Sequence, residues 1–348
     1  MGFTMRTALI FSVLRRVIAS FAFSVCVLVA AVVFFKSGSL PASEISLSQT
    51  EESEEYSLLD GAIDLHLHID PDTPVGQVDA IDIEGMKFAK AQGMRGFVIK
   101  NHRETTASVA YLVRKEVPGI EVFGGIALNL IQGGINLDAV EYLATGIRGK
   151  PFRFVWMPTR DSEHSARRSD VAGTRFVKVS QGCDDQGCID AEVLPEVSEM
   201  IGLIAEHDLV LATGHLSPEE SLLVLQEANR QGVKHMIVTH PMISSITWSE
   251  AQMREAVELG AFLEFDYRVL MAERGETDMI RAIGPEHVVI DEFWTGSGSY
   301  GTGGTREYGK ADGLSEWVKE MNARGFSNDE LDMMVKDNPA ILLGLPPR

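Results

Sequence analysis

Basic residues are scarce in this chain: 31 Lys and Arg stand against 50 Asp and Glu, a formal net charge of -19 over 348 residues. A nucleic-acid-binding protein leaves a basic footprint on its surface, so that class of partner is not expected. Cysteine is scarcer still, with three in all. Cys26 falls in an apolar run, and Cys183 and Cys188 in QGCDDQGCID have no second Cys or His pair beside them, so a complete zinc knuckle is not expected either. In an exported domain they would form a local disulfide, with a free-thiol pair as the alternative. The sequence has no internal repeat beyond the alternation described below, and no low-complexity tract. Its GTGG, at 301–304, does not open a helix after a first strand, which removes a dinucleotide site.

One long apolar run is present, Val17 to Phe35 (VIASFAFSVCVLVAAVVFF), preceded by Arg6, Arg15 and Arg16 and closed by Lys36. It is close to the roughly 20 residues that span a bilayer as a helix, and longer than a usual signal-peptide core. Residues 1–36 therefore read as a signal anchor sooner than as a cleaved signal, although the small residues of SGSLPAS would suit cleavage. The preceding arginines place the N-terminus in the cytoplasm and the body outside, exported or periplasmic and held by residues 17–35 unless cleaved. Residues 37–60 are polar and acidic, as a linker should be. Residues 61–348 form the expected domain.

From residue 61 onward, strand-like runs at 62–68, 96–101, 120–128, 152–158, 208–215, 235–240, 261–267 and 287–293 alternate with segments whose apolar residues recur at helical spacing. Strand–helix repetition implies parallel strands with helical crossovers. Eight units suggest an α/β fold of the closed (β/α)₈ type, with the open doubly wound sheet as the alternative. TRFVKVSQ (174–181) breaks the alternation, so 160–190 read as an excursion containing a small hairpin. Two helices close the chain.

In such a barrel, chemistry collects at the C-terminal ends of the strands. His207, His235 and His287 come at or before strand starts, which makes them structural or solvent-exposed. His66, His68, His102, His215 and His240 come at or just after strand ends. In a strand, residues two apart share a face, so His66 and His68 can bite one cation. Strand eight offers Asp291 and Glu292, of which one can point inward. Asp64 would share the face of His66. Lys100, ending strand two, is a salt-bridge partner, a substrate anchor or, if carbamylated, a ligand bridging two metals. His102 is a ligand or a general base. His164 lies in the excursion, over the mouth or on the surface. The glycine-rich loop after strand eight is a substrate lid or a plain surface loop.

HxH ending strand one, single histidines ending strands five and six, and an acid ending strand eight together resemble the amidohydrolase superfamily of metal-dependent hydrolases over most of residues 61–345. DLHLH, VIKNH, VWMPT, ATGHLSPEE and VTHP resemble an uncharacterised branch of it. The resemblance implies that His66 and His68 bind a first metal, while His215 and His240 bind a second metal or the substrate. It also implies that Asp291 binds metal and takes a proton from water. The superfamily's bridging Lys or Glu on strand four is absent from FRFVWMP, a role Lys100 could fill. The implied cofactor is a divalent transition metal, zinc first, as one or two ions. The implied partner is a small-molecule substrate carrying an amide, lactone or other ester-like bond, and homo-oligomerisation stays open. A metal-dependent decarboxylase and a non-catalytic metal- or ligand-binding barrel are the alternatives.

Overall fold

Eight parallel strands wind in chain order around a nearly closed barrel: β1 (Ile63–His68), β2 (Gly96–Lys100), β3 (Glu121–Ala127), β4 (Phe152–Trp156), β7 (Val210–Ala212), β8 (His235–Val238), β9 (Ala261–Asp266) and β10 (Val288–Asp291). This is a computed structural model, and it describes residues 57–68, 83–169, 173–184, 187–243, 246–266, 275–291 and 318–346. β10 returns beside β1 at the seam. The expected eight strands are all present among the described residues. Past the ends of β2, β3, β4, β7 and β8 the described residues leave the sheet to form the rim.

The crossovers are helical: α1 (Ile83–Ala91), α2 (Ala107–Glu116), α3 (Leu137–Gly146), α5 (Pro195–Glu206), α6 (Pro218–Gln231), α7 (Glu250–Glu258) and α8 (Gly275–Ile283), with the short α4 (Glu163–Arg167) in the excursion. Their starts carry the expected chemistry. Ser217 caps α6 by accepting from Glu220 N, followed by Pro218 in the first turn. Ser249 and Gln252 form a reciprocal capping box on α7. Each satisfies backbone donors that a helix start leaves open.

Two apolar layers follow from strand alternation. The outer layer, including Leu67, Phe97, Ile99, Val155 and Leu263, lies against the helices. The inner layer fills the barrel with Ile63, Leu65, Val98, Phe154, Trp156, Val210, Ile237 and Val289. A C-terminal helical stretch, Asn328–Asp332, a π turn Met333–Asp337 and Asn338–Leu342, packs against β1 and β10. From it Ala340 and Leu342 join the inner layer.

The excursion holds the antiparallel pair β5 (Ser180–Asp184) and β6 (Gly187–Val193), joined by the Cys183–Cys188 disulfide. The hairpin lies later than the run at 174–181 suggested, because Val177 is spent on a parallel bridge to Ser162. The Val17–Phe35 run, Glu292 and the glycine-rich loop lie outside the described residues. Among the described residues no helix is long and apolar enough to cross a membrane.

Candidate metal centre

β1 does not run evenly against β2. Asp64 stands opposite Phe97 and Leu67 opposite Ile99, so Leu65 and His66 together oppose a single residue. This bulge shifts the phase of the strand. Asp64 registers with Phe97, which belongs to the outer layer, whereas Ile63 and Leu65 belong to the inner one. The expectation that Asp64 shares the face of His66 is thereby corrected: the even alternation it assumed is broken between them. Asp64 Oδ1 instead accepts from the His66 backbone N–H at 3.0 Å, bracing the bulge.

Across the seam from His66 stand the acids. Val289 is an inner-layer residue, and Asp291 shares its face two residues on. On the neighbouring strand Glu264 registers with Val289 and Asp266 with Asp291, so these carboxylates point inward too. His66 Nδ1 donates to Glu264 Oε1 and lies 3.5 Å from Asp291 Oδ2. On its other side, Lys100 Nζ donates to His66 Nε2 at 2.7 Å. Lys100 is fully buried and sits 5.2 Å over the Trp156 ring. Gly125 makes room for that ring: a β-carbon there would meet Trp156 and the Phe154 carbonyl.

His240 stacks on His66 with ring centroids 4.4 Å apart. It follows β8 with φ of 49°, a left-handed conformation that costs a non-glycine residue on the order of 1 kcal/mol. His66, His240, Glu264 and Asp291 are all buried, and one ligand atom from each lies within 4.8 Å of the others. Two imidazole nitrogens and two carboxylate oxygens form a donor set suited to zinc and similar transition ions. Charge points the same way: among the described residues three inward carboxylates, Glu264, Asp266 and Asp291, end the adjacent strands β9 and β10, an arrangement that a cation relieves.

The remaining rim histidines form a second tier. His68 lies 5.1 Å from both His66 and His102, and His102 lies 5.7 Å from His215, which in turn is 6.3 Å from His240. Gly214, at φ 62° and tight against the Met157 and Pro158 carbonyls, turns the chain so that His215 N–H donates to Pro158 O at 3.0 Å. Burial, then the Lys100 ammonium, holds the His66, His102 and His215 imidazoles well below their ordinary range. They are therefore neutral at pH 7, the form in which imidazole binds metal.

The five strand-end histidines thus converge on one rim with Lys100 and Asp291, as their sequence positions require. His68, His102 and His215 stay outside the four-residue group. His164 is not part of the four-residue group; it lines a cavity with Arg167, Cys183 and Glu220. His207 and His235 pair with Glu141 and Asp208 near the opposite end of the strands. Glu264 and Asp266 were missed. The signal for them was two acids spaced by two in AFLEFD, an unusual content for a strand buried on both faces.

The chain belongs to a family described as a family of unknown function (DUF6282), whose model matches residues 61–264. No curated protein matches it. Among solved structures it resembles an amidohydrolase from Burkholderia multivorans, with 14% identity and a TM-score of 0.52 over 82% of this chain and 100% of that one. It also resembles an amidohydrolase from Pseudomonas aeruginosa, with 11% identity and a TM-score of 0.51 over 82% of this chain and 97% of that one. At these identities the likeness shows the fold alone, a parallel (β/α)₈ barrel.

Proposed function

We propose that this chain is a metal-dependent hydrolase acting on an amide, lactone or other ester-like bond of a small molecule. The observation that carries the reading is the buried group of His66, His240, Glu264 and Asp291 at the C-terminal strand ends. These four would hold a divalent transition ion, zinc first. When bound, such an ion lowers the pKa of water to about 7 and polarises a carbonyl oxygen. Asp291 is the carboxylate assigned to take a proton from water and return it to the leaving group. His240, strained in place beside His66, belongs to the same constellation as ligand or substrate contact. His68 and His215 would serve a second ion or the substrate, with Lys100, if carbamylated, as bridge.

A metal-dependent decarboxylase on the same barrel is the second reading, favoured by one feature: among the described residues a single metal-capable group is found. Export, with residues 17–35 as anchor, is the proposed location, and the Cys183–Cys188 disulfide supports an oxidising compartment.

The test is metal analysis of the purified full chain, followed by amide, lactone, phosphoester and carboxylic-acid panels on the loaded protein. We expect at least one tightly held ion, lost in His66→Ala, and turnover on an amide or lactone that Asp291→Asn abolishes. A metal-free chain of unchanged fold would sink the reading, and release of CO₂ without hydrolysis would replace it with the second.

A further inference from the structure

The geometry points to His102 as a fixed Nε2–H hydrogen-bond donor to a substrate oxygen, held in that tautomer by a relay from Asn129 through Thr159, and not as a general base or an Nε2 metal ligand. The relay is set by groups whose roles admit one assignment. Asn129 Oδ1 accepts from two backbone donors, Thr159 N at 2.9 Å and Asp161 N at 3.1 Å. Backbone N–H groups cannot accept, so the orientation of the Asn129 amide is settled. Its Nδ2 then donates to His102 O at 2.8 Å and to Thr159 Oγ1 at 2.7 Å.

Thr159 is fully buried. Among the described residues its hydroxyl meets two groups, Asn129 Nδ2 and, at 2.9 Å, His102 Nδ1. The amide nitrogen has no lone pair to offer, so the hydroxyl proton goes to His102 Nδ1. A neutral imidazole that accepts at Nδ1 carries its proton on Nε2. The opposite tautomer would strand a buried hydroxyl proton, which costs more than a typical hydrogen bond gains.

The location gives this donor its use. His102 stands in the second tier, between His68 and His215, whose rings in turn neighbour His66 and His240 of the four-residue group. Arg160, exposed beyond β4, adds its positive charge to the surroundings of both His102 and His215. A donor N–H beside a cation suits a carbonyl or carboxylate oxygen, whose charge grows as the carbonyl is attacked.

The inference rests on the hydrolase reading only in naming the substrate oxygen. The tautomer is read without substrate, so a missing activity and a missing Nε2–H form are separate results. Full chain labelled with ¹⁵N-histidine would be examined by long-range ¹H–¹⁵N NMR, metal-free and with zinc, using His102→Gln to assign the signal. We expect an acceptor-type Nδ1 and a protonated Nε2 in at least about tenfold excess over the other tautomer, unchanged by zinc. Thr159→Ser should keep the excess and Thr159→Val should lose it. An unprotonated Nε2 in the wild type, or one that zinc shifts by coordination, would overturn the assignment; should Thr159→Val fail to fold, the wild-type spectrum still decides. For the donor role, His102→Gln, which retains an N–H, should hold kcat/KM within about tenfold on whichever substrate the panel identifies. His102→Leu should lose about 100-fold or more, and equal losses would remove the role.

Discussion

Glu264 and His66 lie 198 positions apart in sequence and are joined across the barrel seam by a buried hydrogen bond from Nδ1 to the carboxylate. The bond ties the seventh barrel strand to the first, and it puts a second buried carboxylate beside Asp291. Without a cation that crowding is unfavourable. Glu264→Gln should therefore separate two quantities that usually fall together. Zinc affinity should drop by at least about 100-fold, beyond the usual effect of losing a partner behind a ligand. The melting temperature of the metal-free chain should stay level or rise. Titration calorimetry and thermal melts in chelator would check both, and a large fall in metal-free stability would show the carboxylate to be structural instead.

Most of the barrel was legible because its strands are short apolar runs bounded by turn residues and separated by segments of helical period. The rim histidines were legible because strand ends can be located without knowing any partner. Glu264 was harder. In a strand buried on both faces the sequence does not say which residues face inward, and its neighbours Leu263 and Phe265 look the same as the inner Phe262. The β1 bulge is a property of pairing with β2, invisible in IDLHLH alone, so the face of Asp64 could not be read from alternation. The relay from Asn129 to His102 joins three segments distant in sequence, none of which carries a motif for it.

The buried imidazoles give a pH dependence with a definite sign. His66, His102 and His215 are held below the ordinary histidine range by burial first and the Lys100 ammonium next. In the unfolded chain they titrate near 6.5. Below that pH the unfolded state binds protons that the folded state refuses, so stability is present above about 6.5 and declines as pH falls toward the depressed folded values. Each group adds a slope of about 1.4 kcal/mol per pH unit. Urea midpoints of the metal-free chain between pH 7.5 and 5.5 should fall steadily, with a shallower slope in His215→Gln. Midpoints independent of pH would mean that water reaches the rim.

The Cys183–Cys188 disulfide closes a loop of sequence separation 5 in the excursion. Cys183 lines a cavity of about 480 Å³ with His164, Arg167 and Glu220, where Ser180 Oγ donates to Glu220 at 2.6 Å. A loop this short removes little unfolded-state entropy, about 2 kcal/mol at most. Cys183→Ser combined with Cys188→Ser should lower stability by no more than that, speed amide exchange in 180–193 and leave zinc affinity unchanged. Thiol titration of the unfolded, unreduced wild type should find Cys26 alone reactive, and three reactive thiols would remove the bridge.

Gly125 offers a way to disturb the centre without touching a ligand. Its missing side chain leaves the space taken by Trp156, and Trp156 in turn lies under Lys100 and 6.2 Å from the His66 ring. Overpacking at such a position typically costs 1–3 kcal/mol, because buried rings move only by leaving their rotamers. In Gly125→Ala both the indole and the Phe154 carbonyl of β4 have to shift, and the His66 ring packed near Trp156 is displaced with them. Zinc affinity should fall by about 10- to 100-fold, the range seen when groups orienting a ligand are lost. Trp156→Phe combined with Gly125→Ala should recover part of that loss, since the smaller ring gives back the space. A single mutant that melts lower but binds zinc as the wild type does would show that Trp156 supports the barrel core and not the position of His66.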